Sequence, residues 1–179
     1  MSTNEILVPI DFSDCSQQVV DEAAAIARSR GSTLVLMHIP EAPNGLSGSA
    51  LISPDGSKSQ TVASYLRQSA ETRLAAFVQR AEAKGTAARA LVRSGEIAET
   101  IVGVAEDLAV GMIVMGTHGR TGIARVLLGS VAEAVTRHAS CPVTTVRTEY
   151  KPECDARGCA WCATHVTPEL KSLRAEADG

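Results

Sequence analysis

The run GTHGRTGIARVLLGSVAEAV, which starts at Gly116, has the residue types and spacing that suit phosphate chemistry. It joins the end of an apolar strand to a glycine-rich turn and then to a helix. Gly116 and Gly119 permit close backbone approach or a left-handed turn. Gly129 and Ser130 stand immediately before the helical run VAEAV, whose first backbone N–H groups have no partner within the helix and so favour an anion. Ser130 and Glu133 have the spacing of a capping box. A plainer reading stands beside this one, in which the glycines only shape turns and Ser130 only caps the helix. The spacing is neither G-x-G-x-x-G nor G-x-x-x-x-G-K-[ST], so the ordinary dinucleotide and P-loop motifs are missing.

Short apolar runs that alternate with amphipathic helices must position this turn. EILVPI from Glu5 and STLVLMHI from Ser32 read as strands around a helix over roughly residues 14–30, with Val19, Ala23, Ile26 and Ala27 as its inward stripe. Pro9 ends the first strand, where a missing ladder donor costs least, and marks a ligand edge. From Pro40 for about twenty residues, Pro, Gly and Ser predict a surface excursion or flap. A helix is expected from about Thr61 to Lys84. AARALVR from Ala87 then forms a strand, and Ile97 to Leu108 a helix capped by Ser94. VGMIVMG from Val110 predicts a buried strand, and PVTTVR from Pro142 closes the series. This alternation predicts an α/β domain.

The 179 residues, 45% hydrophobic and 21% charged, suffice for one substantial core and an appendage. Seventeen Lys and Arg against twenty Asp and Glu, a formal charge of −3, offer no basic field for nucleic acid or an anionic membrane. No secretory segment opens the sequence and no apolar run reaches the length of about 18 residues that a membrane span needs, so a cytoplasmic chain is the expectation. Three of the five cysteines crowd into CDARGCAWC from Cys154, which favours metal or redox chemistry there. Cys15 and Cys141 read as buried small hydrophobes.

From VPIDFSD at Val8 through LMHIP at Leu36, VMGTHGRTG at Val114 and LGSVAE at Leu128 to CPVTTV at Cys141, the chain resembles the universal stress protein family. The resemblance covers about residues 4–147. It is most specific in the Gly116-x-x-Gly119 pair followed after nine residues by Gly129 and Ser130, the arrangement of members that bind ATP. It implies a doubly wound five-stranded parallel sheet of order 3-2-1-4-5, with nucleotide at the carboxyl edge where the order reverses. It further implies Asp11 as the adenosine-side acceptor, Ile39 as a source of backbone contacts to adenine, and Pro9 as the adjacent wall. Met115 and Gly116 would pass the nucleoside, while Gly119, Gly129, Ser130 and Val131 would surround the phosphates. Taken alone, Asp11 equally suits a cap for the following helix. Arg120 and His118 can reach phosphate; alternatively, Arg120 is a solvated charge and His118 a turn residue bonded to backbone. Mg²⁺ or Mn²⁺ can accompany ATP, though no paired-carboxylate site identifies protein ligands. The family also commonly pairs its last strand between two copies, which implies a homodimer through residues 142–147.

Residues 148–179 depart from the family and form a separate tail after the domain of residues 1–147. Cys154, Cys159, Cys162 and His165 supply the four ligands of a tetrahedral zinc, with Trp161 beside them and a short helix after Thr167. Thiol or disulfide chemistry through the Cys159-x-x-Cys162 pair is a second reading, and a disordered or partner-shared tail is the third. The whole chain therefore reads as an ATP-binding protein of stress signalling or regulation. Its rivals are a slow metal-dependent ATP hydrolase without an identifiable nucleophile, and a nucleotide-independent dimeric scaffold with a zinc or redox tail that takes a protein partner.

Overall fold

The structure is a computed structural model that describes residues 4–13, 15–43, 45–54, 56, 59–117 and 128–147. Five parallel strands form its centre: β1 (Glu5–Pro9), β2 (Thr33–His38), β5 (Ala88–Val92), β6 (Met112–Gly116) and β7 (Val143–Val146). They lie in the order β5-β2-β1-β6-β7. Counted without the small ribbon, this is the 3-2-1-4-5 order expected.

Side chains alternate across a strand, so one apolar run serves two cores. Ile6, Val8, Leu34, Leu36, Met112 and Val114 face α1 (Ser16–Arg30) and α2 (Val62–Ala83). Their neighbours Leu7, Val35, Met37, Ile113 and Met115 face α3 (Ile97–Asp107) and α4 (Ser130–His138). Two buried layers explain why the strands read as continuous apolar runs.

The helix stripes hold, with small shifts in phase. In α1, Val20 and Ala24 are buried beside Val19, Ala23 and Ala27, while Ile26 is half-buried. In α3 the buried positions are Ile101, Val104 and Ala105. The excursion after Pro40 carries a two-stranded antiparallel ribbon, β3 (Leu51–Ile52) with β4 (Gln60–Thr61), that leads directly into α2. Thr61 caps α2 by accepting from the Ser64 N–H at 3.2 Å.

Two caps differ from expectation. Glu96, not Ser94, caps α3, its carboxylate accepting from the Glu99 N–H at 2.8 Å. Gly129, not Ser130, is the N-cap of α4, so Ser130 is the first helical residue and, among the described residues, no side chain caps this helix. A capping box needs its hydroxyl on the last non-helical residue, and Ser130 stands one position too far along. Cys15 and Cys141, expected to be buried, are both half-buried. Among the described residues, no helix is long and apolar enough to cross a membrane.

Candidate functional site

The sheet opens where its winding reverses. The chain runs outward from β1 through β2 to β5 and then returns to the other side of β1 at β6. The β1 and β6 ladder pairs only Ile6 with Met112 and Leu7 with Ile113. Beyond that point β1 stays with β2 as far as Pro9, and β6 stays with β7 as far as Gly116. The two carboxyl ends diverge and leave a crevice, which is the position at which open α/β sheets accept ligands.

A cavity of about 310 Å³ occupies this crevice. Pro9, Asp11, Ile39, Met115, Gly116, Gly129, Ser130 and Val131 all line it. The expected residues Gly119 and Arg120, together with His118, lie outside the described residues, as do Cys154, Cys159, Cys162 and His165 and all of residues 148–179. Among the described residues, no group of three or more His, Cys, Asp or Glu is arranged to hold a metal ion.

The wall divides by chemistry. Met37, Ile39, Ile97, Ile101 and Met115 make an apolar side suited to a flat base. Polar groups come from helix starts, because α1, α3 and α4 each follow a strand of this sheet and begin at its carboxyl edge. Ser16 of α1, Ile97 of α3, and Ser130 and Val131 of α4 all border the cavity. Since α4 has no side-chain cap, its leading N–H groups are open to an anionic ligand rather than covered by its own hydroxyl.

Asp11 sits at the turn out of β1. Its Oδ1 accepts from the Ser13 N–H at 3.0 Å, the Ser13 hydroxyl at 2.7 Å and the Ser16 hydroxyl at 2.8 Å. Asp11 is therefore a brace of the turn and not the cap of α1, whose N-cap is Cys15 without a side-chain hydrogen bond. Oδ2 is buried and has no hydrogen-bond partner among the described residues. A buried acceptor left unsatisfied costs about 1–3 kcal/mol, and a ligand hydroxyl or amino donor would recover it.

Several cavity residues carried no signal in the sequence. His38 ends β2, and its Nδ1–H donates to the Ile10 carbonyl at 2.7 Å. Ile10 N–H in turn donates to the Met37 carbonyl at 2.8 Å, which fixes the exit of β1. Thr117 is buried, accepts from the Gly129 N–H at 2.8 Å and donates its own N–H to the Val146 carbonyl at 3.0 Å. That pair of bonds ties the end of β6 to the start of α4. Ile97 and Ile101 look like ordinary core positions in the sequence, and only the placement of α3 brings them to the cavity.

The universal stress protein family model matches residues 3–147. The chain belongs to the universal stress protein family. It is 36% identical over 147 residues to universal stress protein A homolog 1 of Coxiella burnetii, a span of 82% of this chain and 97% of that protein. Among solved universal stress proteins, UspA from Lactobacillus plantarum matches with a TM-score of 0.63 at 26% identity, covering 82% of this chain and 98% of that one. A member from Archaeoglobus fulgidus in complex with dAMP shares the fold at a TM-score of 0.57 and 23% identity, over 82% and 100% of the two chains. Another, in complex with cAMP, shares it at 0.56 and 24%, over 83% and 100%.

Proposed function

We propose that this universal stress protein binds an adenine nucleotide, ATP in the first instance, in the crevice between β1 and β6, and works as a nucleotide-responsive regulator in stress signalling. The observation that carries the reading is the cavity itself, which gathers an apolar wall, an unsatisfied Asp11 oxygen and the uncapped start of α4 at one edge. The adenine nucleotides bound by two relatives of the same fold support it. In this arrangement the base lies toward Ile39 and Met115, Asp11 accepts from the nucleoside, and Gly129, Ser130 and Val131 receive phosphate. Gly119 and Arg120 would complete the phosphate side. Mg²⁺ or Mn²⁺ would be carried by the phosphates and the Ser130 hydroxyl.

Calorimetric titration of the full chain with ATP tests the reading, and one saturable site per chain is the expected result. Absence of saturable binding by a folded protein overturns it. Phosphate release with and without Mg²⁺, measured on the same sample, distinguishes a binding protein from a slow hydrolase.

Two further assignments complete the proposal. Among the described residues β7 is an outer strand of the sheet, with β6 on one side only, and that outer edge suits antiparallel pairing with a second copy through residues 142–147. A species that stays monomeric across a sedimentation concentration series rejects this. In the tail of residues 148–179, Cys154, Cys159, Cys162 and His165 are proposed as a zinc set. Elemental analysis of untagged protein should find about one zinc per chain, and a metal-free tail that takes up none on reconstitution rejects the assignment.

A further inference from the structure

Phe12, one residue after Asp11, has a backbone φ of +62°, in the left-handed region that a residue with a Cβ seldom adopts. Such a conformation persists only where surrounding contacts hold it. Those contacts come from the cavity-lining end of β2 and from α2, which lies outside the cavity. The Phe12 ring is 2% exposed and packs against His38 with ring centroids 4.1 Å apart and against Phe77 at 5.9 Å. The Arg73 guanidinium lies over its face, with Cζ 3.9 Å from the centroid. Arg73 and Phe77 are one turn apart on α2, and neither lines the cavity.

The ring is thus gripped by α2 on one side and by the end of β2 on the other. His38 does double duty, since the same side chain that packs on Phe12 donates to the Ile10 carbonyl. Residues 10 to 12 are consequently held at both ends, with Asp11 between them. Its Oδ2 stays buried without a partner, so the turn keeps an unsatisfied acceptor in place rather than relaxing to satisfy it.

We infer that Arg73 is a positioning residue for the nucleotide: by seating Phe12 it holds Asp11 in its ligand-ready place and makes affinity depend on how α2 packs. This rests on the adenine-nucleotide reading above. It adds a control point on an element that does not touch the ligand. The ribbon of β3 and β4 leads straight into α2, and Glu41, earlier in the same excursion, lines the cavity. A shift of α2 would therefore reach the site through Phe12, and by thermodynamic reciprocity bound nucleotide would steady α2.

The test is ATP titration of the full chain as wild type, Arg73→Met, Arg73→Lys, Asp11→Asn and the double variant Asp11→Asn with Arg73→Met. Met keeps the length and apolar stem of Arg without its charge. Arg73→Met is expected to weaken ATP binding about 3- to 10-fold, within what a cation–π contact supplies, and Arg73→Lys to recover part of the loss. In the Asp11→Asn background, Arg73→Met should change affinity less than twofold, because the residue it positions is already disabled. A purely structural role would instead produce the same loss in both backgrounds. Should Arg73→Met fail to fold, Phe12→Leu alone and with Asp11→Asn asks the same question from the other side of the contact. Unchanged affinity in the folded variant, or an equal loss in the Asp11→Asn background, overturns the inference while leaving nucleotide binding intact. No ATP binding by the wild type overturns the underlying reading, and the inference falls with it.

Discussion

Replacing Ser130 by alanine should separate ligand binding from folding, because Ser130 is not a helix cap. The N-cap of α4 is Gly129, and the Ser130 side chain makes no capping hydrogen bond. Alanine at the first helical position removes nothing that holds the helix together, and its higher helix propensity offsets small losses by a few tenths of a kcal/mol. The stability change should stay within about 0.5 kcal/mol, which for a chain of this size is about 1–2 °C in Tm. Affinity should respond far more. A hydroxyl bond to charged phosphate contributes about 1.5–3 kcal/mol, so ATP should bind about 10- to 150-fold more weakly. Thr61→Ala supplies the opposite control: it removes the cap bond from Ser64 N–H at 3.2 Å and touches no cavity wall. It should cost α2 about 1 kcal/mol, or about 2–4 °C, with ATP affinity changed far less than by Ser130→Ala, because the lost bond is about three turns from Arg73. Thermal melts and calorimetry on both variants give the answer. A Ser130→Ala protein that loses as many degrees as Thr61→Ala and keeps wild-type affinity would refute the reasoning.

Three other outcomes follow from local geometry. Ala109, just past the end of α3, has φ +47°, and its N–H donates to the Glu106 carbonyl while the Val110 N–H donates to that of Ala105; Ala109→Gly should raise stability by about 0.5–1 kcal/mol, read as a higher melting temperature. Hydrogen bonding to Arg80, at 2.8 Å and 2.6 Å, holds the Asp21 carboxyl below its usual value against the opposing effect of burial, with Lys84 assisting. Its contribution is therefore full above the ordinary carboxylate range and disappears as pH falls through the depressed folded value. Asp21→Asn should cost about 0.2–1 kcal/mol at neutral pH and show less further loss in acid denaturation profiles. Burial pushes the Cys141 thiol above the ordinary range, with Glu106 adding to the effect, so alkylation followed by peptide mass spectrometry should label it more slowly at neutral pH than an unfolded control and speed up in alkali.

Local chemistry carried much of this protein in the sequence. Continuous apolar runs announce strands buried on both faces, and a helical period between them announces an α/β domain, whereas the doubly wound order was implied by the family resemblance. Glycines at 116 and 129 and the proline at 9 mark places where the backbone must turn or come close, and these requirements depend on neighbours only a few residues away. All three border the cavity. The capping assignments failed because a cap depends on which residue is the last to hold non-helical angles, a choice made by the approach of the preceding chain. Thus Gly129 displaces Ser130, and Glu96 displaces Ser94. The seating of Asp11 was equally out of reach. Phe12 meets Arg73 and Phe77 across more than sixty residues of chain, and His38 across twenty-six. Such contacts arise only when α2 packs on the sheet beside the end of β2, because no periodicity within one segment encodes which side chain of another will cover it. The sequence by itself determined the elements and the edge at which a ligand could sit, whereas the packing of α2, α3 and α4 on the sheet decided which side chains hold that edge in shape.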